Sequence, residues 1–273
     1  MGHSARVSPR VPVTTLPCMA DSIEGRTALV TGGGRGIGRA VALALGRAGA
    51  HLVLVGRTAE ALDAVTREVV DAGGLAPLPR VLDVADPEAI AAALDRLRAE
   101  DITVDILVNN AGVAEAEPLG RTDLALWQRH LAVNATAPFV LMRALLPGML
   151  ERGWGRVVNI ASVAGLAGAP YIAAYTASKH ALVGLTRSIA AETAGRGVTV
   201  NAVCPGYVAT DLTERSAQRI SRRTGQPLAH SLDALARLNA SGVLIRPEQV
   251  AAAVLALVSP AADGRTGETL VIE

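Results

Sequence analysis

Tyr175 and Lys179 stand four residues apart in the run Tyr175-Thr176-Ala177-Ser178-Lys179. At the start of a segment with helical periodicity, that spacing sets both side chains on one helical face. A phenol with a pKa of about 10 is a poor proton donor or acceptor at neutral pH, but an adjacent ammonium favours the phenolate and brings it toward the working range of an acid–base catalyst. Ser162, just past a buried aliphatic run, is placed to hydrogen-bond the same substrate oxygen. Taken singly, a helical Tyr is usually core, a Ser after a strand is usually a turn, and a Lys is usually solvated. The last explanation is weak here, because 25 of the 26 basic residues are Arg and Lys179 is the single Lys. Solvated positions in this chain are filled with the other cation.

The elements that must position these groups follow from the hydrophobic pattern. Short aliphatic runs at Thr27 to Thr31, His51 to Val55, Pro79 to Leu82, Asp105 to Val108, Arg156 to Ile160, Thr199 to Val203 and Thr269 to Ile272 read as strands apolar on both faces. Helical patterns lie between them, over 36 to 49, 58 to 73, 86 to 100, 122 to 152 with a break, 172 to 196 and 247 to 258. Strand and helix in alternation predict an α/β fold, a parallel sheet with right-handed crossovers and helices on both faces. One domain over 25–273 fits the length. The polar, Arg-rich stretch 207–246 breaks the rhythm; a long insertion after a strand's carboxyl end sits over the ligand crevice, which makes it the candidate substrate lid.

Composition narrows the function classes. Half of the chain is hydrophobic and 19% is charged, which excludes a disordered chain; six aromatics leave a core of Ala, Val, Leu and Gly. A formal net charge of +1, with arginines scattered among acids, argues against a nucleic-acid footprint. Cys18 and Cys204 have neither CxxC spacing nor a matching His pair, so no disulfide scaffold and no metal site are expected, and a reducing compartment fits. No apolar run approaches the roughly 20 residues of a membrane span; the best candidates, near Leu52 and Val254, are broken by Gly, Arg or Pro. A cytoplasmic protein without membrane partners is expected. Residues 1–24, with prolines at 9, 12 and 17, read as a flexible extension. Their basic character suits a transit peptide, whereas Met19 suits the natural start of an over-called reading frame.

Directly after the first strand comes Thr31-Gly32-Gly33-Gly34-Arg35-Gly36-Ile37-Gly38. Glycines at 32, 36 and 38 permit a tight turn, close backbone approach to a pyrophosphate and tight helix-on-strand packing, with the helix N-terminus facing the phosphate. The second strand ends in Gly56-Arg57, with no carboxylate for a ribose 2′-hydroxyl. Arg57, with Arg35 from the other side, suits a 2′-phosphate instead, so NADP(H) is expected over NAD(H). In an Arg-rich chain Arg57 also has the simpler reading of a surface turn.

With these motifs in place, the chain resembles the short-chain dehydrogenase/reductase family over residues 25–273. The resemblance rests on Thr-Gly-x-x-x-Gly-x-Gly at 31–38, Asp83-Val84, Asn109-Asn110-Ala111-Gly112, Asn134, Ser162, Tyr175-x-x-x-Lys179, and Pro205-Gly206 followed by Thr210. It implies a Rossmann fold with a seven-stranded sheet in the order 3-2-1-4-5-6-7, and oxidoreduction of a secondary alcohol or carbonyl with a nicotinamide cofactor. Tyr175 would be the proton donor, Ser162 would polarise the carbonyl, Lys179 would lower the tyrosine pKa and bind the nicotinamide ribose, and Asn134 would hold a water in the proton relay. The cofactor cleft would be formed by Gly32, Gly34, Arg35, Gly36, Ile37, Gly38, Arg57, Asp83 and Val84 at the adenine, Asn110, Ala111, Gly112, Tyr175, Lys179, Pro205, Gly206, Val208 and Thr210. No metal is implied. A homo-oligomer, tetramer or dimer, is expected from the family.

Family motifs define the reaction and leave the substrate open. The stretches 174–184 and 197–206 look most like 3-oxoacyl thioester reductases, a group serving fatty-acid or polyketide metabolism. Arg215, Arg219, Arg222 and Arg223 recur at helical spacing and suit the phosphates of CoA or a phosphopantetheine arm, while Arg152 and Arg196 fall near a carrier-protein patch of such reductases; an ordinary solvated helix face explains all six equally well. An alternative substrate is a sugar, cyclic alcohol or steroid, the last disfavoured by the scarcity of aromatics. A non-catalytic dinucleotide-binding scaffold is the distant third reading, since such a protein is expected to lose the Tyr or the Lys. The chain stops at Glu273, where most relatives continue through a Gly-Gly tail; either truncation or the absence of that contact would explain it.

Overall fold

Each aliphatic run becomes a strand of one sheet. The structure, a computed structural model, describes residues 23–273. Its strands are β1 (Thr27–Thr31), β2 (His51–Gly56), β3 (Leu78–Val81), β4 (Ile106–Asn109), β5 (Gly155–Ile160), β6 (Val198–Pro205) and β7 (Thr269–Ile272). They lie in the order β3-β2-β1-β4-β5-β6-β7, all parallel. The winding direction reverses between β1 and β4, and this switch point opens a crevice beyond the strands' carboxyl ends. β5 and β6 are buried at every position, as strands covered on both faces must be. β3 is an edge strand, which is why it tolerates Pro79 opposite Leu54 without losing a needed ladder donor.

Helices cover both faces. On one, α1 (Gly36–Arg47), α2 (Ala59–Asp71) and α9 (Pro247–Val258) bury Val41, Leu45, Leu62, Val65, Val254 and Leu257 in a single cluster with the sheet. On the other, α3 (Pro87–Ala99), α5 (Ala137–Glu151) and α6 (Ala173–Thr193) contribute Leu94, Leu97, Leu141, Met142 and Ala190. α3 starts where Asp86 Oδ1 accepts from the backbone N–H of Glu88 and Ala89, with Pro87 in the first turn; a cap of this kind contributes about 1 kcal/mol.

The break expected within 122–152 is a π-helical turn, Ala132–Thr136, between α4 (Leu124–Leu131) and α5. Such turns are found frequently at functional sites, and this one carries Asn134. Within Leu124–Glu151 an 18-residue window reaches a mean hydropathy of 1.3, which by length and composition alone would suffice to cross a bilayer. Leu141, Met142, Leu146 and Met149 explain its character: they are buried in the core of this domain.

Two further features lie outside the strand–helix alternation. The Arg-rich stretch 207–246 forms two helices, α7 (Asp211–Thr224) and α8 (Leu228–Ala236). On α7 only Thr213 and Ala217 are buried, an apolar stripe too narrow to show in the hydrophobic pattern. Its end is marked instead by Gly225, left-handed at φ 71°. At the other terminus, Ile23 is 1% exposed and belongs to the core, so the packed domain takes in residue 23, two positions before the boundary read from the sequence. The rest of the expected extension, with Cys18 and Met19, lies outside the described residues.

Candidate active site

The glycine loop is built from steric necessity. Gly32 and Gly36 have φ of 66° and 52°, a region that L side chains rarely enter. A Cβ on Gly38 would lie 2.1 Å from the Gly32 carbonyl oxygen and 2.6 Å from Asn110 Nδ2, so only Gly lets α1 start this close to the loop. Thr31 ties the loop to the end of β4: its Oγ1 accepts from the N–H of Asn110 and Ala111, both at 3.0 Å, while Asn110 Nδ2 donates to the carbonyls of Thr31 and Gly32. What remains beside this cradle is a long cleft over the switch point. It is lined by Gly32, Gly34, Arg35, Gly36 and Ile37 from the loop, Arg57 after β2, Asp83 and Val84 after β3, and Asn110, Ala111 and Gly112 after β4. Ser162, Tyr175, Lys179, Pro205, Gly206, Val208 and Thr210 continue the wall.

The donor set and shape fit a dinucleotide, a test that the loop passes on its own geometry. At the adenosine end, Arg57 Nη1 is 3.8 Å from Asp83 Oδ2 and Arg35 Nη1 is 3.8 Å from Asp211 Oδ2, with all four side chains about half exposed. Exposed pairs at such distances contribute about 0–1 kcal/mol. Both guanidiniums are therefore available to an incoming phosphate. Asp83 also accepts from the N–H of Ala85 at 2.9 Å, which holds the turn after β3.

At the other end of the cleft stand the three groups singled out by spacing. Ser162 follows β5, and Tyr175 and Lys179 share the first turns of α6. Tyr175 is half-buried. Desolvation pushes its phenol up to about 12, and a hydrogen bond with Ser162 pulls it in the opposite direction. Lys179 is 4% exposed, and burial brings its ammonium down to about 8. Its Nζ donates to the Ile160 carbonyl oxygen at 2.8 Å and lies 5.9 Å from the Tyr175 ring centroid. The net shift of the phenol is upward because its desolvation is the largest contribution, and the lysine's short contact is to a carbonyl.

Asn134 sits in the π-helical turn between α4 and α5. It is 0% exposed and off the cleft wall. Its Nδ2 donates to Val113 O and Ser178 Oγ, both at 2.9 Å, and its Oδ1 accepts from Val113 N–H at 2.9 Å. The side chain braces the loop after β4 against α6. Among the described residues no cluster of His, Cys, Asp or Glu is arranged to hold a metal.

Comparison with known proteins agrees with this geometry. The family model "short chain dehydrogenase" matches residues 26–221. The chain belongs to that family. It is an NAD(P)-dependent oxidoreductase acting on CH–OH groups. A 3-oxoacyl-[acyl-carrier-protein] reductase of Vibrio cholerae is 40% identical over 91% of this chain and 96% of its own length. A D-beta-hydroxybutyrate dehydrogenase of Rhizobium meliloti is 41% identical over 73% of this chain and 78% of its own. A crystal structure from Beutenbergia cavernae, described as an NAD(P)-dependent gluconate 5-dehydrogenase with bound NADP, superposes with a TM-score of 0.80 at 42% identity, covering 92% of this chain and 96% of that one.

In this short-chain dehydrogenase Arg219 and Arg223 of α7 pair with acids of the loop after β4. Arg223 Nη2 is 2.6 Å from Glu117 Oε1, and Arg219 reaches Glu115 Oε2 and Glu117 Oε1 at 3.7 Å and the Ala116 carbonyl at 3.2 Å. Arg223 accordingly holds the Glu117 carboxyl below the usual carboxylate range. These contacts clasp α7 to the loop after β4. Arg152 and Arg196 lie at the opposite, amino edge of the sheet, where Arg152 Nη2 donates to Val104 O just before β4 and Arg196 stands two residues before β6; neither borders the cleft. Residues that the sequence pattern does not single out include Leu212 and Thr213 on the cleft wall and Gly165, whose Cβ would meet the Lys179 carbonyl oxygen at 2.8 Å. The first two adjoin Thr210 in sequence and are findable by adjacency. Gly165 carries no such signal.

Proposed function

We propose that this chain is an NADP(H)-dependent oxidoreductase that interconverts a carbonyl and a secondary alcohol, and that its substrate is a 3-oxoacyl thioester. The observation that carries the reaction is the cluster of Ser162, Tyr175 and Lys179 at one end of a cleft whose other end is the glycine loop. A bound nicotinamide dinucleotide supplies the hydride for reduction. Tyr175, protonated throughout the neutral range, gives its proton to the substrate oxygen. The Ser162 hydroxyl hydrogen-bonds that oxygen as negative charge builds on it. Lys179 contributes a buried positive charge 5.9 Å from the Tyr175 ring centroid, held in position by the Ile160 carbonyl.

The choice of NADP(H) rests on Arg35 and Arg57, loosely paired and facing the cleft, and on the NADP named in the Beutenbergia structure. Arg57→Asp is expected to move the ratio of NADPH to NADH turnover toward NADH by about tenfold or more, in line with the loss of a charge-assisted contact and the gain of a ribose acceptor. Steady-state rates with both cofactors test it, and an unchanged ratio would leave Arg57 a surface turn residue.

The thioester reading is supported by similarity to the Vibrio cholerae reductase across almost the whole chain. A second reading, a free polyol or hydroxy acid, is favoured by one observation: Arg219 and Arg223 are already neutralised by Glu115 and Glu117, which leaves fewer cations at the mouth for the phosphates of a carrier. Acetoacetyl-CoA, free acetoacetate and a keto-sugar acid, each assayed with NADPH and NADH, separate the two. Acetoacetyl-CoA is expected to oxidise NADPH. Turnover of the free acids with an inert thioester would overturn the carrier reading and leave the reaction class standing.

A further inference from the structure

His130, on the last turn of α4, is 0% exposed, and both of its ring nitrogens are occupied. Nδ1 lies 2.8 Å from the Leu126 carbonyl oxygen, and Nε2 lies 3.1 Å from the backbone nitrogen of Glu115. These partners determine the proton's position. A carbonyl only accepts, so Nδ1 carries the hydrogen; a backbone N–H only donates, so Nε2 presents its lone pair. The imidazole also stands edge-on to the Tyr175 ring, with centroids 6.3 Å apart and planes at 73°, a T-shaped contact of the kind that fixes ring orientation.

One side chain thus joins three parts of the site. It ties α4 to the loop after β4, whose next residues, Glu115 to Glu117, carry the clasp to the lid. The same loop is braced two residues earlier by Asn134 at Val113 and two residues later by Glu117 N–H donating to Tyr171 O at 2.7 Å. Tyr171 has φ of 67°, a strained value for a bulky residue. His130 is the one member of this set that also touches the ring bearing the proton donor.

We propose that His130 is a positioning residue for Tyr175: as a neutral, Nδ1-protonated imidazole it holds the Glu115 loop and the Tyr175 ring in register, so that the phenol meets a substrate oxygen delivered under the clasped lid. This rests on the reading of Tyr175 as proton donor. No bond is made or broken by His130, and it does not line the cleft.

The test uses the full chain, ¹⁵N-histidine labelling and two variants. The His130 resonances, assigned by their loss in His130→Gln, are expected to show a neutral ring protonated on Nδ1; an Nε2–H or doubly protonated ring overturns the proposal. His130→Phe keeps the ring edge and leaves Glu115 N–H and Leu126 O unpaired, whereas His130→Gln keeps an acceptor within reach of Glu115 N–H. With NADPH and whichever carbonyl the substrate panel identifies, kcat is expected to fall about 10- to 100-fold in His130→Phe, as for a slightly misplaced catalytic group. The NADPH Kd should not change, and His130→Gln should recover most of the rate. Wild-type kcat in His130→Phe, a loss of NADPH binding in step with kcat, or no recovery in His130→Gln overturns it. Should His130→Phe not fold, His130→Gln alone decides: a kcat within about tenfold of wild type supports the proposal and a greater loss overturns it. A wild-type protein that turns over no carbonyl would remove the functional reading instead, and the tautomer would still be decided by the spectrum.

Discussion

Tyr175→Phe is expected to lose nearly all turnover while binding NADPH as the wild type does. The substitution removes one oxygen and keeps the ring that stands edge-on to His130, so neither packing nor the α6 backbone has cause to move. What disappears is the proton donor. Desolvation holds the phenol at about 12, so at neutral pH it is fully protonated, the state a reduction needs at the moment the substrate oxygen becomes anionic. General acid catalysis of this kind contributes roughly 10²- to 10⁴-fold, and the variant's kcat should fall by that factor. Ser162 remains to hydrogen-bond the oxygen, which is why a residual rate above zero is expected. Stopped-flow hydride transfer and a fluorescence titration of NADPH separate the two effects. Full activity in this variant would end the assignment of Tyr175, and with it the argument for His130.

The parts of this site that are legible in the amino-acid sequence share a property: each is local along the chain. Tyr175 and Lys179 are paired by helical spacing, the glycine loop by its place between an aliphatic run and a helix, and the seven strands by runs buried on both faces. What is not legible there depends on contacts between distant segments. Glu115 and Glu117 meet Arg219 and Arg223 across about a hundred residues, so four charges that look like two solvated faces turn out to be a clasp. His130 gives no signal as a lone histidine in a helical segment, because its meaning lies in a backbone N–H fifteen residues away and a ring on another helix. The tyrosine's desolvation is hidden from the sequence for a related reason. Spacing reveals a neighbouring charge, whereas desolvation depends on the whole fold, and here it is the larger effect.

Lys179→Arg tests whether charge or shape makes the lone lysine necessary. If charge alone mattered, Arg would serve better, since it stays protonated at any working pH. The geometry argues for shape. Lys179 is 4% exposed, its Nζ fits between the Ile160 carbonyl and Gly112, where a Cβ would come within 3.6 Å of it, and its own carbonyl is pressed by Gly165. A flat, forked guanidinium needs more room than this ammonium site offers, and overfilling a packed interior shifts its neighbours. Turnover in Lys179→Arg is therefore expected to fall by about 100-fold. A pH series gives a second readout. The wild-type lysine, brought down to about 8 by burial, loses its proton as pH rises through that value, so reductive turnover should decline there. Because its folded pKa lies below the ordinary 10.5, the cost of burying the charge is present in full below about 8 and is relieved as pH rises toward 10.5. Burial raises the Cys204 thiol to about 11 and acts with the opposite sign in both proteins, so the expected readout is the difference: cofactor-free wild type should gain thermal stability relative to Lys179→Arg across that window, and the variant should show no decline in turnover near pH 8. Near-normal turnover in the variant, with the wild-type decline abolished, would show that the charge suffices and that the shape of the site does not select lysine.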